Sequence, residues 1–74
     1  AGIRALWWEN RIEANHVTGN AYGIYLDENG FDNVVVRNSA SSNHTQDYYV
    51  GTNNDVGPIG SAATVTSPWA NIKN

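Results

Sequence analysis

The sequence predicts an all-β protein built from a repeating strand-and-turn unit, that is, a β-solenoid. The composition favours turns over helices, because 11 of the 74 residues are Asn and 7 are Gly. No segment carries apolar residues at helical spacing over three turns, whereas several short segments alternate apolar and polar residues. The chain also repeats itself with a period of 23 to 24 residues. A period of this size in a strand-and-turn sequence is typical of a solenoid.

The repeat is clearest in two matching asparagine patterns. NRIEANHVTGN at 10–20 aligns with NVVVRNSASSN at 33–43, and both place Asn at positions one, six and eleven. After one inserted residue, YGIYLD at 22–27 aligns with QDYYVG at 46–51, and GIRAL at 2–6 resembles GIYLD at 23–27 as a partial earlier unit. The apolar positions match as well: Ile12 with Val35, Val17 with Ala40, Ile24 with Tyr48, and Leu26 with Val50.

Each part of the unit has an expected place in a solenoid. RIEA, YGIYLD and DYYVG alternate as strands, and their matched apolar residues should stack about 4.8 Å apart as an inward column. We expect Asn at the corners, where it tolerates left-handed backbone angles and can hydrogen-bond to the Asn of the next coil. Outward positions should hold Tyr25, Tyr49, Val34 and Val36.

The C-terminal segment departs from the repeat. Pro58 and Pro68 cannot donate to a central ladder, so they mark edges or exits. SAATVT at 61–66 is predicted to form one last strand, and Trp69 and Ile72 are predicted to cover the open end of the apolar column.

The segment NRIEANHVTGNAYGIYLDENGFDNVVVRNSASSN resembles the right-handed parallel β-helix repeat of pectate-lyase-like and NosD-like bacterial proteins, which share its N-x-[VI]-x-x-N-x-[VA]-x-x-N…GI cadence. The tail VGPIGSAATVTSPWANI at 56–72 is similar to the C-terminal end of such proteins. The resemblance covers residues 2 to 72. It implies a short right-handed parallel β-helix of two to three coils with a C-terminal cap, from a larger bacterial repeat protein located outside the cell or in the periplasm.

The expected organisation is a single β-helix unit of 1–74. It comprises a partial first coil at 1–9, a coil at 10–32, a second coil at 33–55 and a cap at 56–74. Because the repeat motif encodes coils rather than chemistry, the resemblance predicts the fold and no activity.

Composition and charge exclude several classes of partner and site. The net charge is −3, and the basic residues are scattered rather than clustered, which argues against nucleic-acid binding. No apolar run reaches the roughly 18 residues that cross a bilayer, so no membrane partner is expected. There is no Cys for disulfides or thiolate metal sites, and two His cannot form a multi-His zinc site. The chain starts without Met and shows no signal peptide, as expected for a processed product or a piece of a longer protein.

The small size predicts a homo-oligomer. A chain this short buries only about 60% of its unfolded surface, and two to three coils leave strand edges and one end of the core uncovered. We expect copies to associate through the open coil ends and the outward aromatic and Val surface, in a closed cyclic assembly. A multi-chain prism, in which the same repeats pair between chains, is the alternative architecture.

Pectate-lyase-like enzymes bind calcium through carboxylates, which directs attention to LDENGFD. Asp27, Glu28, Asn29 and Asp32 could offer oxygen ligands, but the loop lacks the alternating pattern of a dedicated calcium loop. We interpret it as a polar loop between coils, with only Asp55 at the equivalent corner of the next coil. No metal site and no cofactor are therefore predicted.

No catalytic residue is predicted either. Arg37 aligns with Ala14 and has no acidic neighbour in register, so it is interpreted as a solvated strand residue. His16 should point outward and His44 should lie in a turn, which makes surface histidines of both. The composition of a triad is present in Ser39, Ser41, Ser42, His44 and Asp47, without a nucleophile-elbow pattern. Asn43-His44-Thr45 fits the N-glycosylation pattern, interpreted as incidental.

Eight aromatic residues carry the functional hypothesis. They could anchor a protein interface or stack on sugar rings. The favoured function is a non-catalytic, self-assembling structural module. The alternative is a carbohydrate-binding or polysaccharide-processing remnant whose active coils lie upstream. The eight residues are Trp7, Trp8, Tyr22, Tyr25, Phe31, Tyr48, Tyr49 and Trp69.

Overall fold

The computed structural model describes residues 1–27 and 30–73, and this part of the chain contains short β-strands and no helix. The strands are β1 (Ile3–Ala5), β2 (Arg11–Glu13), β3 (His16–Thr18), β4 (Tyr22–Leu26), β5 (Val34–Val36), β6 (Ser39–Ser41), β7 (Gln46–Tyr49), β8 (Asp55–Val56), β9 (Ile59–Gly60) and β10 (Asn71–Lys73).

The strands form three short sheets in which every recorded pair is parallel. Sheet 1 has the order β1-β4-β7, sheet 2 has β2-β5-β8, and sheet 3 has β3-β6-β10-β9. The chain visits sheets 2, 3 and 1 through β2, β3 and β4, and then visits them again in the same sequence through β5, β6 and β7. The predicted all-β class and the parallel pairing are confirmed.

The pairing register is the one that the repeat predicts. Residues 12 and 17 pair with 35 and 40 at an offset of 23, and residue 24 pairs with 48 at an offset of 24. β1 pairs with β4 in the register of the GIRAL and GIYLD match, with Ile3 opposite Ile24. These apolar residues meet in one buried cluster, against which Ile3, Val50 and Val56 also pack. Its buried members are Ala5, Ile12, Val17, Ile24, Leu26, Val35, Ala40 and Tyr48.

The chain turns at the residue before each repeated Asn. Our prediction that Asn itself adopts the left-handed conformation is wrong. A left-handed conformation for a non-Gly residue costs roughly 1–2 kcal/mol. In five of the six turns, the side chain of the Asn that follows the turn residue bonds back across it. The Asn Nδ2 donates to the carbonyl oxygen two residues earlier, at 3.1–3.4 Å. The left-handed residues are Glu9, Ala14, Gly19, Asp32, Arg37 and Ser42, with φ of 55–75°.

The C-terminal strand lies out of chain order. By the repeat, β9 should pair with β6, but β10 lies between them and β9 is the outer strand. Gly57 allows this arrangement, because a Cβ there would overlap the main-chain oxygen of Trp69. The predicted strand at 61–66 is wrong. That segment is a turn in which Thr64 N and Val65 N donate to Ser61 O at 3.0 and 3.1 Å.

Two burial predictions for this region are also wrong. Trp69 is 50% exposed and neither it nor Ile72 packs against the apolar cluster, whereas Ala70 and Asn71 are buried. Val36 was expected at the surface and is 8% exposed. The reason is that the C-terminal segment runs along the end of β5, where Arg37 N donates to Trp69 O at 3.3 Å.

Candidate functional site

Asparagine ladders connect neighbouring strands at three corners of the fold. At the first corner, the main-chain N and the Nδ2 of Asn10 both donate to Asn33 Oδ1, at 2.8 and 2.9 Å. At the second corner, Asn15 donates in the same way to Asn38 Oδ1, at 3.0 and 3.1 Å. At the third, Asn20 N donates to Asn43 Oδ1 at 3.0 Å. The ladders predicted from the two sequence patterns are confirmed. In each ladder the Asn that comes earlier in the sequence donates and the later one accepts.

Each ladder gains a third member that the sequence patterns did not reveal. Asn54 Oδ1 accepts from Asn33 N and Nδ2 at 3.1 and 2.9 Å. Asn71 Oδ1 accepts from Asn38 N and Nδ2 at 3.2 and 3.0 Å. The sequence signal for Asn54 was an Asn at an offset of 21 from Asn33. Asn71 could not be recognised from the sequence, because its offset of 33 from Asn38 includes the irregular segment that precedes β10.

The third ladder ends on a carboxylate. Asp47 Oδ1 accepts from Asn43 N at 3.3 Å and from Asn43 Nδ2 at 2.8 Å. An ionised carboxylate is a pure acceptor, so it can satisfy the amide before it but cannot donate to a further one. The other two ladders end on amides whose Nδ2 groups donate to main-chain oxygens. Asn54 Nδ2 donates to Gly51 O, and Asn71 Nδ2 donates to Val35 O and Gly57 O. We call this side, with the outer strands β7, β8 and β9, the closed end.

The opposite side of the three sheets has the outer strands β1, β2 and β3, and we call it the open end. Here the ladders begin with Asn10, Asn15 and Asn20. Their Oδ1 atoms accept no hydrogen bond from the part of the chain that the structure describes. In the next strand layer, Asn33 and Asn38 each accept two bonds at Oδ1 and Asn43 accepts one. This end therefore offers three amide acceptors together with strand edges.

An aromatic patch borders the open end. It consists of Leu6, Trp7, Trp8 and Phe31, whose exposed fractions range from 42% to 60%. Trp8 stacks on Phe31 with ring centroids 5.2 Å apart, and Trp7 meets Trp8 edge to face at 5.7 Å. The patch continues into an open depression beside β1 that Ile3, Ala5 and Ile12 also line. Exposed apolar side chains grouped in this way are typical of interaction sites.

Outward tyrosines form a second aromatic surface on sheet 1. As predicted, Tyr25 and Tyr49 align across neighbouring strands, and their rings stack with centroids 4.7 Å apart. The Arg4 guanidinium lies over the Tyr25 ring at 5.4 Å, and Tyr22 meets both tyrosines edge to face. Since Tyr25 lies between Arg4 and Tyr49, its ring is engaged within the chain.

Arg37 has an acidic partner, contrary to the prediction. Its guanidinium donates to Glu13 Oε2, with Nε at 2.9 Å and NH2 closer, and Arg11 Nε donates to Glu13 Oε1 at 2.9 Å. Alignment had placed Arg37 opposite Ala14. Both residues turn the chain, and the long Arg side chain reaches back one position across the sheet. The hydrogen bond from Arg37, followed by that from Arg11, lowers the pKa of the Glu13 carboxyl. The Arg37 guanidinium also lies 5.0 Å from the Trp69 ring centroid.

Several described candidates for catalysis and metal binding are engaged with other residues. Asp27 lies 3.9 Å from Arg4, while Glu28 and Asn29 fall outside the described residues. His16 Nδ1 lies 3.3 Å from Ser39 Oγ, and both are at the surface. Asp47 bonds to Asn43 in the ladder. Among residues 1–27 and 30–73, no three His, Cys, Asp or Glu side chains are grouped to hold a metal ion.

Tyr48 is the one buried side chain with a strongly raised pKa among those described. It is 8% exposed, and its hydroxyl lies 2.7 Å from Ile72 O and 3.2 Å from Asn38 O. Burial raises the pKa of Tyr48 to about 12, and the negative charge of Asp47 contributes in the same direction. The neutral phenol thus joins β7 to Ile72 in β10 and to Asn38, the residue before β6.

The described residues include no helix long and apolar enough to cross a membrane.

Comparisons with known proteins add no relative to this picture. No family model matches the chain, and no curated protein or solved structure is significantly similar to it.

Proposed function

We propose that the chain is a short right-handed parallel β-helix of the pectate-lyase-like and NosD-like type, and that it works as a non-catalytic structural module that associates with itself. Support for the helix comes from the repeated order of strands through three parallel sheets. The right hand follows from the strong general preference of parallel crossover connections. The ladders and the stacked apolar cluster have the placement that a solenoid requires.

The observation that carries the self-association proposal is the open end. Three strand edges, three amide acceptors and the aromatic patch lie on one side of a very small core. Unpaired edges are sites where further strands add, and natural proteins normally cover them. The patch places two tryptophans at this edge, and Trp is enriched at protein interfaces. A second chain would cover all three features together.

Carbohydrate binding is the second candidate function, favoured by the hollow that Arg4, Tyr22 and Tyr25 line with Ala1. Aromatic rings beside a cation are a common setting for acidic sugars. It ranks second because the Tyr25 ring stacks on Tyr49 and packs under Arg4, so little of its face remains for a sugar.

Thermal unfolding distinguishes the two functions. If self-association stabilises the fold, a tenfold increase in protein concentration raises the melting temperature by several degrees, because mass action favours the associated state. If the chain binds sugars, uronate oligosaccharides raise the melting temperature at fixed protein concentration. We expect the first effect and not the second. A melting temperature independent of protein concentration would contradict the proposal.

A further inference from the structure

Two tyrosines from neighbouring strands form a parallel pair of phenol rings on the outer face of sheet 1. Tyr25 in β4 and Tyr49 in β7 are direct register partners in parallel strands, so their side chains leave the backbone in the same direction. Their ring centroids lie 4.7 Å apart, and the two ring planes differ by 8°. The two phenols thus lie side by side in similar orientations, at a separation close to that of the two rings of a biphenyl.

Neighbouring side chains hold this pair in place. The Arg4 guanidinium lies over the Tyr25 ring, 5.4 Å from its centroid. The Tyr22 ring meets Tyr25 and Tyr49 edge to face, with centroids 5.1 and 5.9 Å away. Both paired tyrosines are half-buried, so their rings are restrained and still touch solvent. An oxidant in solution can therefore reach them, whereas Tyr48 in the core is 8% exposed.

We propose that Tyr25 and Tyr49 are a site of oxidative cross-linking, at which a peroxidase-type oxidant with hydrogen peroxide joins the two rings through a carbon–carbon bond. The oxidant removes one electron and one proton from each phenol. The two phenoxyl radicals couple at ring carbons ortho to the oxygens, and the proton on each coupled carbon then moves to the oxygen, which restores both phenols. The pair loses two hydrogen atoms, which hydrogen peroxide accepts to give two molecules of water.

The geometry favours this coupling over its alternatives. Reacting groups that are held next to each other behave as if at very high concentration, so coupling within the chain is faster than coupling between chains. A small rotation of two parallel rings brings their ortho carbons together. The Tyr22 ring is inclined by 74° to both Tyr25 and Tyr49, so its coupling needs a larger rearrangement. The parallel pair is therefore the preferred site.

The cross-link gives the chain a covalent connection between strands that its composition otherwise lacks. The sequence contains no Cys, and small domains usually need disulfides or other covalent links for stability. The new bond joins β4 to β7 and closes a loop, which lowers the entropy of the unfolded chain. We expect the melting temperature of the cross-linked chain to be higher by roughly 10 °C or more.

Oxidation of the dilute wild-type chain with a peroxidase and hydrogen peroxide tests the site. We expect blue dityrosine fluorescence in a species that keeps the single-chain mass on a denaturing gel. Because trypsin cleaves after Arg and Lys, Tyr25 and Tyr49 fall in different peptides. Mass spectrometry should find these peptides, 12–37 and 38–73, joined and lacking two hydrogen atoms. The same oxidation in concentrated urea should give much less of this product, because unfolding separates the two rings.

Matched phenylalanine variants identify the reacting pair. Tyr49→Phe keeps an aromatic ring in the stack but removes the hydroxyl that a phenoxyl radical requires. This variant should lose both the joined peptides and the rise in melting temperature. Tyr22→Phe makes the same change beside the pair and should leave both results unchanged. Circular dichroism before oxidation shows whether each variant is folded, and fragmentation of the joined wild-type peptides locates the bond without any variant.

Several results would overturn the site. These are joined peptides that persist in Tyr49→Phe, a bond located at other tyrosines, dityrosine formed only between chains, and no dityrosine at all. Equal yields in urea and in buffer would also overturn it, because the fold would then not select the pair. The inference does not depend on self-association, since both rings belong to one chain.

Discussion

Asn38→Ala is expected to destabilise the chain by roughly 3–5 kcal/mol, enough to unfold most of it at room temperature. Asn38 is 1% exposed and is the middle member of its ladder. Its Nδ2 donates to Ile12 O, Val36 O and Asn71 Oδ1 at 3.0–3.1 Å. Its Oδ1 accepts two bonds from Asn15. Alanine removes these side-chain bonds, and Asn71 Oδ1 keeps only its bond from Asn38 N. Each buried group left unpaired costs about 1–3 kcal/mol.

Asn10→Ala is the matched control, because Asn10 begins a ladder and is exposed. Its Nδ2 bonds to Asn33 Oδ1 and Trp8 O can be replaced by water, so we expect a loss of at most about 1 kcal/mol. Urea denaturation followed by circular dichroism gives both free energies of unfolding. Equal losses for the two variants would refute the view that the buried ladder positions hold neighbouring strands together.

Alkaline pH is expected to destabilise the fold through Tyr48. The pKa of this phenol is about 12 in the folded chain, against 10.0 for the ordinary group. A raised pKa means that the folded state prefers the neutral phenol. The stabilisation is therefore fully present below pH 10 and is lost between pH 10 and about 12. A difference of this size corresponds to at most roughly 2–3 kcal/mol.

Tyr48→Phe isolates this group from all others that titrate in the same window. At neutral pH the variant loses the hydroxyl contact to Ile72 O and should be less stable by about 1–2 kcal/mol. Between pH 10 and 12 its stability should fall less steeply than that of the wild type. Urea titrations at several pH values measure both slopes, and parallel slopes would show that Tyr48 ionises without affecting folding.

Sequence reasoning reached the register of the sheets because the repeat is written in two independent patterns. The Asn spacing places Asn15 over Asn38, and the apolar spacing independently places Val17 over Ala40. Strand pairing between equivalent positions follows directly from such a repeat. The ladder bonds follow as well, because identical amides one strand apart lie within hydrogen-bonding distance.

The failures have physical causes. Local turn geometry displaced the left-handed residue to the position before each Asn, and composition alone does not distinguish the two positions. Arg37 bonds to Glu13 because its side chain is long enough to cross to the neighbouring strand. Alignment of backbone positions does not include side-chain length. Asn71 completes a ladder from outside the repeat, because the chain leaves its period after β8 and returns at β10. Asp47 lies within the second unit, in β7, where the first unit has Gly23 rather than a ladder residue.

The difference between the two ends could not be predicted from the sequence. The repeat shows only the features that successive units share. The two ends differ because of residues that depart from the repeat. Asp47 ends a ladder because the chain bends at 44–45 and its carboxylate accepts from Asn43. The aromatic patch was visible as individual residues. Its position beside the open end follows from the parallel bridge between Trp8 and Phe31.

Solution mass is the most direct test of the central claim that this fold is completed by a second copy of itself. Light scattering after size exclusion, at micromolar chain concentration, should give at least twice the chain mass of 8.1 kDa. Dilution should shift the peak toward the single-chain mass. The β-structure signal in circular dichroism should stay constant until the copies dissociate. A folded species of 8.1 kDa at micromolar concentration would contradict the account.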